Sequence, residues 1–278
     1  MTEETSVLVF GMGELASAVA RKLHLDGHAV AMHQSAPPMA IRRRMTFADA
    51  WYDGNATFEG VEARRFDEAN DFLTGLRGGR FIPILWQTFD EVIERWPWDV
   101  LVDATPPDAD GETRRPLTAL ADLSVGVGAG FVAGETCDIV IDTRARDPGA
   151  VLRSGRIGVP EFPRDDPFAD GTLIPALDSG LFQVSRFIGE RVDPGDILGF
   201  VGATSVVAPM AGRLRGLARD GAPLDKGDSV AEIAASLSAD VVGICKRDRL
   251  IARSVAFVIE MERAGWTPIS LESLFLKP

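Results

Sequence analysis

Four groups of residues have the types and spacing to do chemistry. The first is Gly11-x-Gly13-x-x-Ala16, directly after the apolar run Ser6–Phe10. Gly11 permits a tight turn, and a bare Gly13 lets an anion approach the backbone. A helix starting there aims free N–H groups at that anion. With no ligand, the same residues serve as a tight strand-to-helix turn. The second group is Arg42-Arg43-Arg44. These guanidinium groups either grip a phosphate bidentately or stand solvated at a helix start. The third is Asp103 with Thr105, at the end of the apolar run Asp99–Ala104. Ligands collect outside the carboxyl ends of strands in open α/β sheets, and the alternative role for Asp103 is a cap or loop anchor. The fourth is the glycine-dense stretch Gly126, Gly128, Gly130 and Gly134, followed by Glu135. Such density serves close backbone approach. No Gly-Lys-Ser/Thr follows, so it is not a P-loop.

The histidines are His24, His28 and His33, and the cysteines are Cys137 and Cys245. His33-Gln34-Ser35 stands where an NAD site usually carries an acid for the ribose hydroxyls. His33 contacts a ribose or base there, or is merely solvated. Two cysteines exclude a disulfide framework and a tetrathiolate metal site. Cys245 precedes a helix, so it is either a thiolate of lowered pKa or an inert buried thiol. Cys137 faces the same choice. No triad or metal cluster is visible, so no catalytic residue is named.

These groups need elements to position them. Ser6–Phe10 and Ala29–Met32 read as buried parallel strands, with a helix through Leu15, Val19 and Leu23 between them. Met45–Trp51 reads as a short helix, Phe81–Leu85 as a strand, and Phe89–Trp96 as helical. Arg247–Gly265 reads as a long amphipathic helix with Leu250, Ile251, Val255, Val258 and Ile259 on one stripe. The expected class is α/β: a Rossmann-like N-terminal domain over 1–145, a connecting segment over 146–175, a small β-rich domain over 176–235, and a C-terminal helix and tail over 236–278.

The β-rich domain carries an internal repeat. At an offset of 32, Gly180 meets Gly212, Gly189 meets Gly221, Asp193 meets Asp225, Gly195 meets Gly227 and Asp196 meets Asp228. Each half reads glycine, strand, turn, Gly-Asp, strand. This resembles the barrel-sandwich hybrid of biotinyl and lipoyl carrier domains. Their attachment turn presents a lysine, whereas here it is Gly202-Ala203-Thr204-Ser205, and no lysine lies between Lys22 and Lys226. Covalent biotin or lipoate at that turn is excluded.

A wider resemblance spans most of the chain. Gly126-x-Gly128-x-Gly130-Phe131-x-Ala133-Gly134-Glu135, with Asp138-x-Val140-Ile141-Asp142-Thr143-Arg144, resembles a signature of the accessory proteins of selenium-dependent molybdenum hydroxylases, relatives of xanthine dehydrogenase. Gly11–Ala20, Ala40–Arg43 with Tyr52-Asp53-Gly54, and Val207–Leu217 resemble other motifs of that family. The resemblance implies a maturation factor for a molybdenum-containing oxidoreductase partner. Its ligand would be a nucleotide or nucleotide-bearing molybdopterin held by Gly11, Gly13 and Gly126–Gly134. Two other readings stand beside it. One is an NADP-type oxidoreductase in which Arg42–Arg44 take the extra phosphate; the other is a non-enzymatic scaffold, or homo-oligomer, docking a partner through its β-rich domain.

Composition bounds these expectations. The 278 residues suggest about two domains. At 46 % hydrophobic and 25 % charged, the chain is globular rather than disordered. Its formal charge of −12 argues against nucleic acid or an anionic membrane as a partner. No apolar run approaches the ~18 residues of a membrane helix, and the acidic start Met1-Thr2-Glu3-Glu4-Thr5 is unlike a secretory signal, so the expected location is the cytoplasm.

Overall fold

Alternating apolar residues give this chain a two-faced sheet that helices must cover. A computed structural model describes residues 5–66, 69–106, 114–144, 146–157 and 171–265. Residues 158–170 of the expected connecting segment and the tail 266–278 lie outside the described residues.

The first half runs β1 (Ser6–Phe10), α1 (Glu14–Leu25), β2 (Ala29–His33), a 3-10 turn (Arg43–Met45), α2 (Asp49–Asp53), β3 (Asn55–Phe58), β4 (Val61–Arg65), α3 (Ala69–Gly78), β5 (Ile82–Leu85), α4 (Phe89–Arg95), β6 (Val100–Asp103), β7 (Leu123–Val127), β8 (Val132–Ala133), β9 (Ile139–Ile141), β10 (Val151–Leu152) and β11 (Gly155–Arg156). Nine of these strands form one sheet in the order β10-β9-β7-β6-β1-β2-β5-β4-β3. The strands from β9 to β4 are parallel, while β10 and β3 close the two edges antiparallel. The helix expected over Met45–Trp51 starts only at Asp49, because Thr46 is extended and its Oγ1 accepts the Ala48 N–H at 3.0 Å.

Period-two alternation decides what each face buries. Val7, Val9, Val30, Val100 and Val102 face α1 residues Ala16, Val19 and Leu23. Leu8, Phe10, Ala31 and Leu101 face the opposite side with Leu76, Val92, Trp98 and Phe131.

The second half runs β12 (Gly171–Pro175), β13 (Gly180–Val184), β14 (Arg191–Val192), β15 (Ile197–Val201), β16 (Thr204–Val207), β17 (Gly212–Leu217), β18 (Pro223–Leu224), β19 (Ser229–Ala234) and α5 (Lys246–Arg263). The strands make two antiparallel sheets, β12-β19-β17-β14 and β16-β15-β13-β18. The offset of 32 residues carries β13 onto β17, β14 onto β18 and β15 onto β19, and therefore one sheet onto the other. Phe182, Leu198, Leu214, Val230 and Ile233 fill the core between them.

The expected assembly of a Rossmann-like N-terminal domain, a biotinyl/lipoyl-like hybrid and a separate C-terminal helix is corrected. The chain instead forms one large mixed sheet and several smaller antiparallel sheets, with few helices. Helix α5 does not close the β-rich part. Its Ile251, Val255, Val258 and Ile259 join α1 in the core of the nine-stranded sheet. The large sheet is thus completed by the far end of the sequence. Among the described residues, no helix is long and apolar enough to cross a membrane.

Candidate functional site

In the large sheet the direction of winding reverses beside β1. The chain passes from β1 through α1 to β2 on one side, whereas β6 pairs with β1 on the other. A reversal of this kind opens a crevice at the carboxyl ends of the strands. Gly11 stands at its base with φ +100°, and a Cβ there would lie 3.3 Å from Thr105 Cα. Both the left-handed backbone and the close approach therefore call for glycine. Gly13 is the N-cap of α1 and has no side-chain cap; nothing lies within 4 Å of a Cβ built on it. The first helical bond runs from Ser17 N–H to the Gly13 carbonyl at 2.9 Å. The preceding N–H groups have no intrahelical acceptor.

A cavity of about 340 Å³ opens here, within the range of small-molecule sites. Its wall includes Gly13, Glu14, Thr105, Gly128, Arg144 and Arg247. Two of these are arginines held by buried carboxylates. Arg144 Nη2 lies 2.6 Å from Oδ2 of Asp142, which is only 2 % exposed. Arg247 Nε lies 3.1 Å from Oδ1 of the buried Asp248, in the first turn of α5. A guanidinium fixed this way loses less rotamer freedom when it meets an anion. Glu14 is the acidic exception. Burial pushes its carboxyl above the ordinary range, Arg42 and its own backbone N–H oppose that, and Asp248 and Glu232 add to it.

The Thr105 wall has its own support. Asp103 Oδ1 accepts the Thr105 N–H at 2.9 Å and its hydroxyl at 2.6 Å. Arg114 donates to the Thr105 carbonyl at 2.8 Å, and its guanidinium lies over the Phe131 ring at 4.7 Å.

Of the residues singled out in the sequence, Gly13 and Gly128 line the cleft, Gly11 packs against Thr105 of its wall, and Asp103 anchors that wall. Ala16 is fully buried on the face of α1 that packs against the large sheet. The glycine-dense stretch does not form a single cradle. Gly126 is occupied by Phe131, whose Cδ1 would lie 2.7 Å from a Cβ there. Gly130 and Gly134 are left-handed turn positions outside the cleft wall, and Glu135 is exposed. Arg42 and Arg43 are engaged elsewhere: Arg42 pairs with Glu232, and Arg43 bonds Asp49 at 3.0 Å and the Leu217 carbonyl at 3.2 Å. Arg44 donates to the Ile188 carbonyl. The three arginines join the large sheet to the β-rich part.

His33 is buried, bonds the Gln87 carbonyl through Nε2 at 2.8 Å and packs edge-on against Phe10. Neither thiol is activated. Burial pushes Cys137 up to about 11, and burial also raises Cys245, the N-cap of α5. Among the described residues, no three His, Cys, Asp or Glu side chains cluster to hold a metal. Glu14, Arg144, Arg247 and Arg114 escaped the sequence reading of the site. The signal available for Arg144 was its place just past a parallel strand end.

No protein-family model matches the chain. The chain is 29 % identical over 261 residues to "Uncharacterized protein YqeB" of Escherichia coli K12, covering 92 % of this chain and 47 % of that protein. It thus spans about half the length of the curated relative it matches. Among solved structures it is similar to a succinylglutamate desuccinylase/aspartoacylase from Rhodobacter sphaeroides, with a TM-score of 0.21, 22 % identity and coverage of 23 % of this chain and 22 % of that one. It is also similar to an aspartoacylase family protein from Mesorhizobium loti, with a TM-score of 0.25, 12 % identity and coverage of 85 % and 86 %. The expected resemblance to molybdenum-hydroxylase accessory proteins, with the molybdenum maturation role it implied, is corrected: neither the family models, nor the curated relative, nor the solved structures support it. At such TM-scores the neighbours carry no argument for a reaction of this chain.

Proposed function

We propose that the chain binds a small phosphorylated metabolite in the cleft between α1, β6, β7 and α5. One observation carries this reading: the uncapped first turn of α1 and two aspartate-held arginines, all far apart in sequence, line the same cavity. A helix N-terminus and bidentate guanidinium groups are complementary to a phosphate.

Gly13→Asp separates folding from binding. The added Cβ has room, and aspartate is a good N-cap, so the fold is expected to keep its stability. Its carboxylate would also sit where the phosphate sits. Inorganic phosphate and glycerol 3-phosphate are expected to raise the melting temperature of the wild type and not of Gly13→Asp. An equal rise in both proteins overturns the reading.

A further inference from the structure

The cleft is not uniformly cationic, and the exception bears on what it selects. Glu14 is the first residue of α1 and lines the cavity beside the first-turn N–H groups of that helix. Arg42 lies 3.8 Å from its carboxylate but is committed to Glu232. The other charged groups around the Glu14 carboxyl are Asp248 and Glu232, both acidic, with Arg247 beside Asp248. A carboxylate has about four acceptor positions. Here Glu14 lines the cavity, with its own backbone N–H and the Arg42 guanidinium 3.8 Å away beside its carboxylate.

A phosphate ester that offers Glu14 no donor would set a second anion beside its carboxylate and bind more weakly. The arrangement favours a ligand that places a hydroxyl donor against Glu14 while its phosphate meets the helix end. We infer that Glu14 is a specificity-determining residue that selects polyhydroxylated phosphate esters over phosphate esters without hydroxyls. The inference rests on the phosphate reading above and adds the ligand class to it.

Glycerol 3-phosphate and n-propyl phosphate test this, since they are close in size and differ in their hydroxyls. Hydrogen bonds to a charged acceptor are strong enough for a preference of about tenfold or more. By calorimetric titration, the wild type is expected to bind glycerol 3-phosphate at least about tenfold more tightly than propyl phosphate. Glu14→Ala is expected to bring the two within about twofold, weakening the first ligand and tightening the second. Glu14→Gln keeps the side-chain shape and one acceptor oxygen; it is expected to tighten propyl phosphate and to retain part of the preference, which covers a failure of the alanine variant to fold. Equal binding of the two esters by the wild type, or an undiminished preference in the variants, overturns the inference while leaving the phosphate reading intact. Binding of neither ester overturns both.

Discussion

Arg42 and Glu232 are separated by 190 residues and meet in a two-point ion pair, with Nη2 and Oε1 2.7 Å apart. Glu232 is 2 % exposed and also receives Arg215 Nη2 at 2.6 Å. Arg42 follows the second strand of the large sheet, whereas Glu232 lies in β19 of the β-rich part. The contact therefore joins the two sheet systems beside the wall of the cleft. Burial alone would raise the Glu232 carboxyl, but the hydrogen bonds and charges of Arg42 and Arg215 overcome it and hold it below the ordinary range.

Removing Arg42 should accordingly cost stability and shift its acid limb. Breaking a buried pair typically costs 3–5 kcal/mol. Arg42→Ala is expected to cost roughly 3 kcal/mol at pH 7, near the low end, because Arg215 remains on Glu232. A depressed folded pKa contributes stability that is present above the unfolded value and lost as pH falls through the folded one. Urea titrations from pH 7 to pH 3 should therefore show the two proteins converging toward acid. A constant gap across that window contradicts the role given to Glu232.

Gly126 offers a test of packing against ligand contact. Its backbone is not left-handed, so alanine is permitted by conformation and opposed only by the Phe131 ring. Overpacking of this kind costs about 1–3 kcal/mol. Gly126→Ala is expected to lose that much in the wild-type background and close to nothing in a Phe131→Ala background, as read by a double-mutant cycle in denaturant. Additive losses would mean that the ring is not what excludes the methyl group.

Gly126 also marks the limit of what the sequence discloses. The strand, glycine turn, helix and strand through His33 are legible because apolar period and turn chemistry are local signals. The offset of 32 residues is legible because Gly180, Gly189 and Gly195 recur with it as Gly212, Gly221 and Gly227. A glycine beside an open cavity and a glycine bared for a neighbouring ring look identical in sequence, so Gly13 and Gly126 could not be told apart. The charged residues fail for a related reason. Arg42, a loop beyond β2, and Arg144, just past β9, are both arginines that follow strands, and only tertiary pairing commits one to Glu232 while the other lines the cleft. Helix α5 reads correctly as amphipathic, but nothing in its stripe states which sheet it covers.

The two thiols should differ little in their inertness. Cys137 is fully buried, its thiol donates to the Ile139 carbonyl at 3.2 Å, and burial pushes its pKa up to about 11. At pH 8 that leaves on the order of one thiolate in a thousand, against roughly one in four for a free cysteine near 8.5. Iodoacetamide is expected to label native Cys137 at least about a hundredfold more slowly than the urea-unfolded chain, as followed by peptide mass. Comparable rates would place the thiol in a different environment.

Glu14 carries the remaining prediction, in which proton uptake and stability are linked. Burial raises its folded pKa, so the folded chain holds this proton more tightly than the unfolded chain does. A raised pKa contributes stability that is complete below the unfolded value and lost as pH rises through the folded one. Ionised Glu14 is therefore a cost to the fold at neutral pH, even with Arg42 opposing it. Glu14→Gln imitates the protonated side chain at every pH. Without ligand it should melt above the wild type at pH 8, and the difference should close as pH approaches 4. A difference of the same size at both pH values would show that the substitution acts through packing or helix preference, and the charge at the mouth of the cleft would then have no energetic consequence for folding.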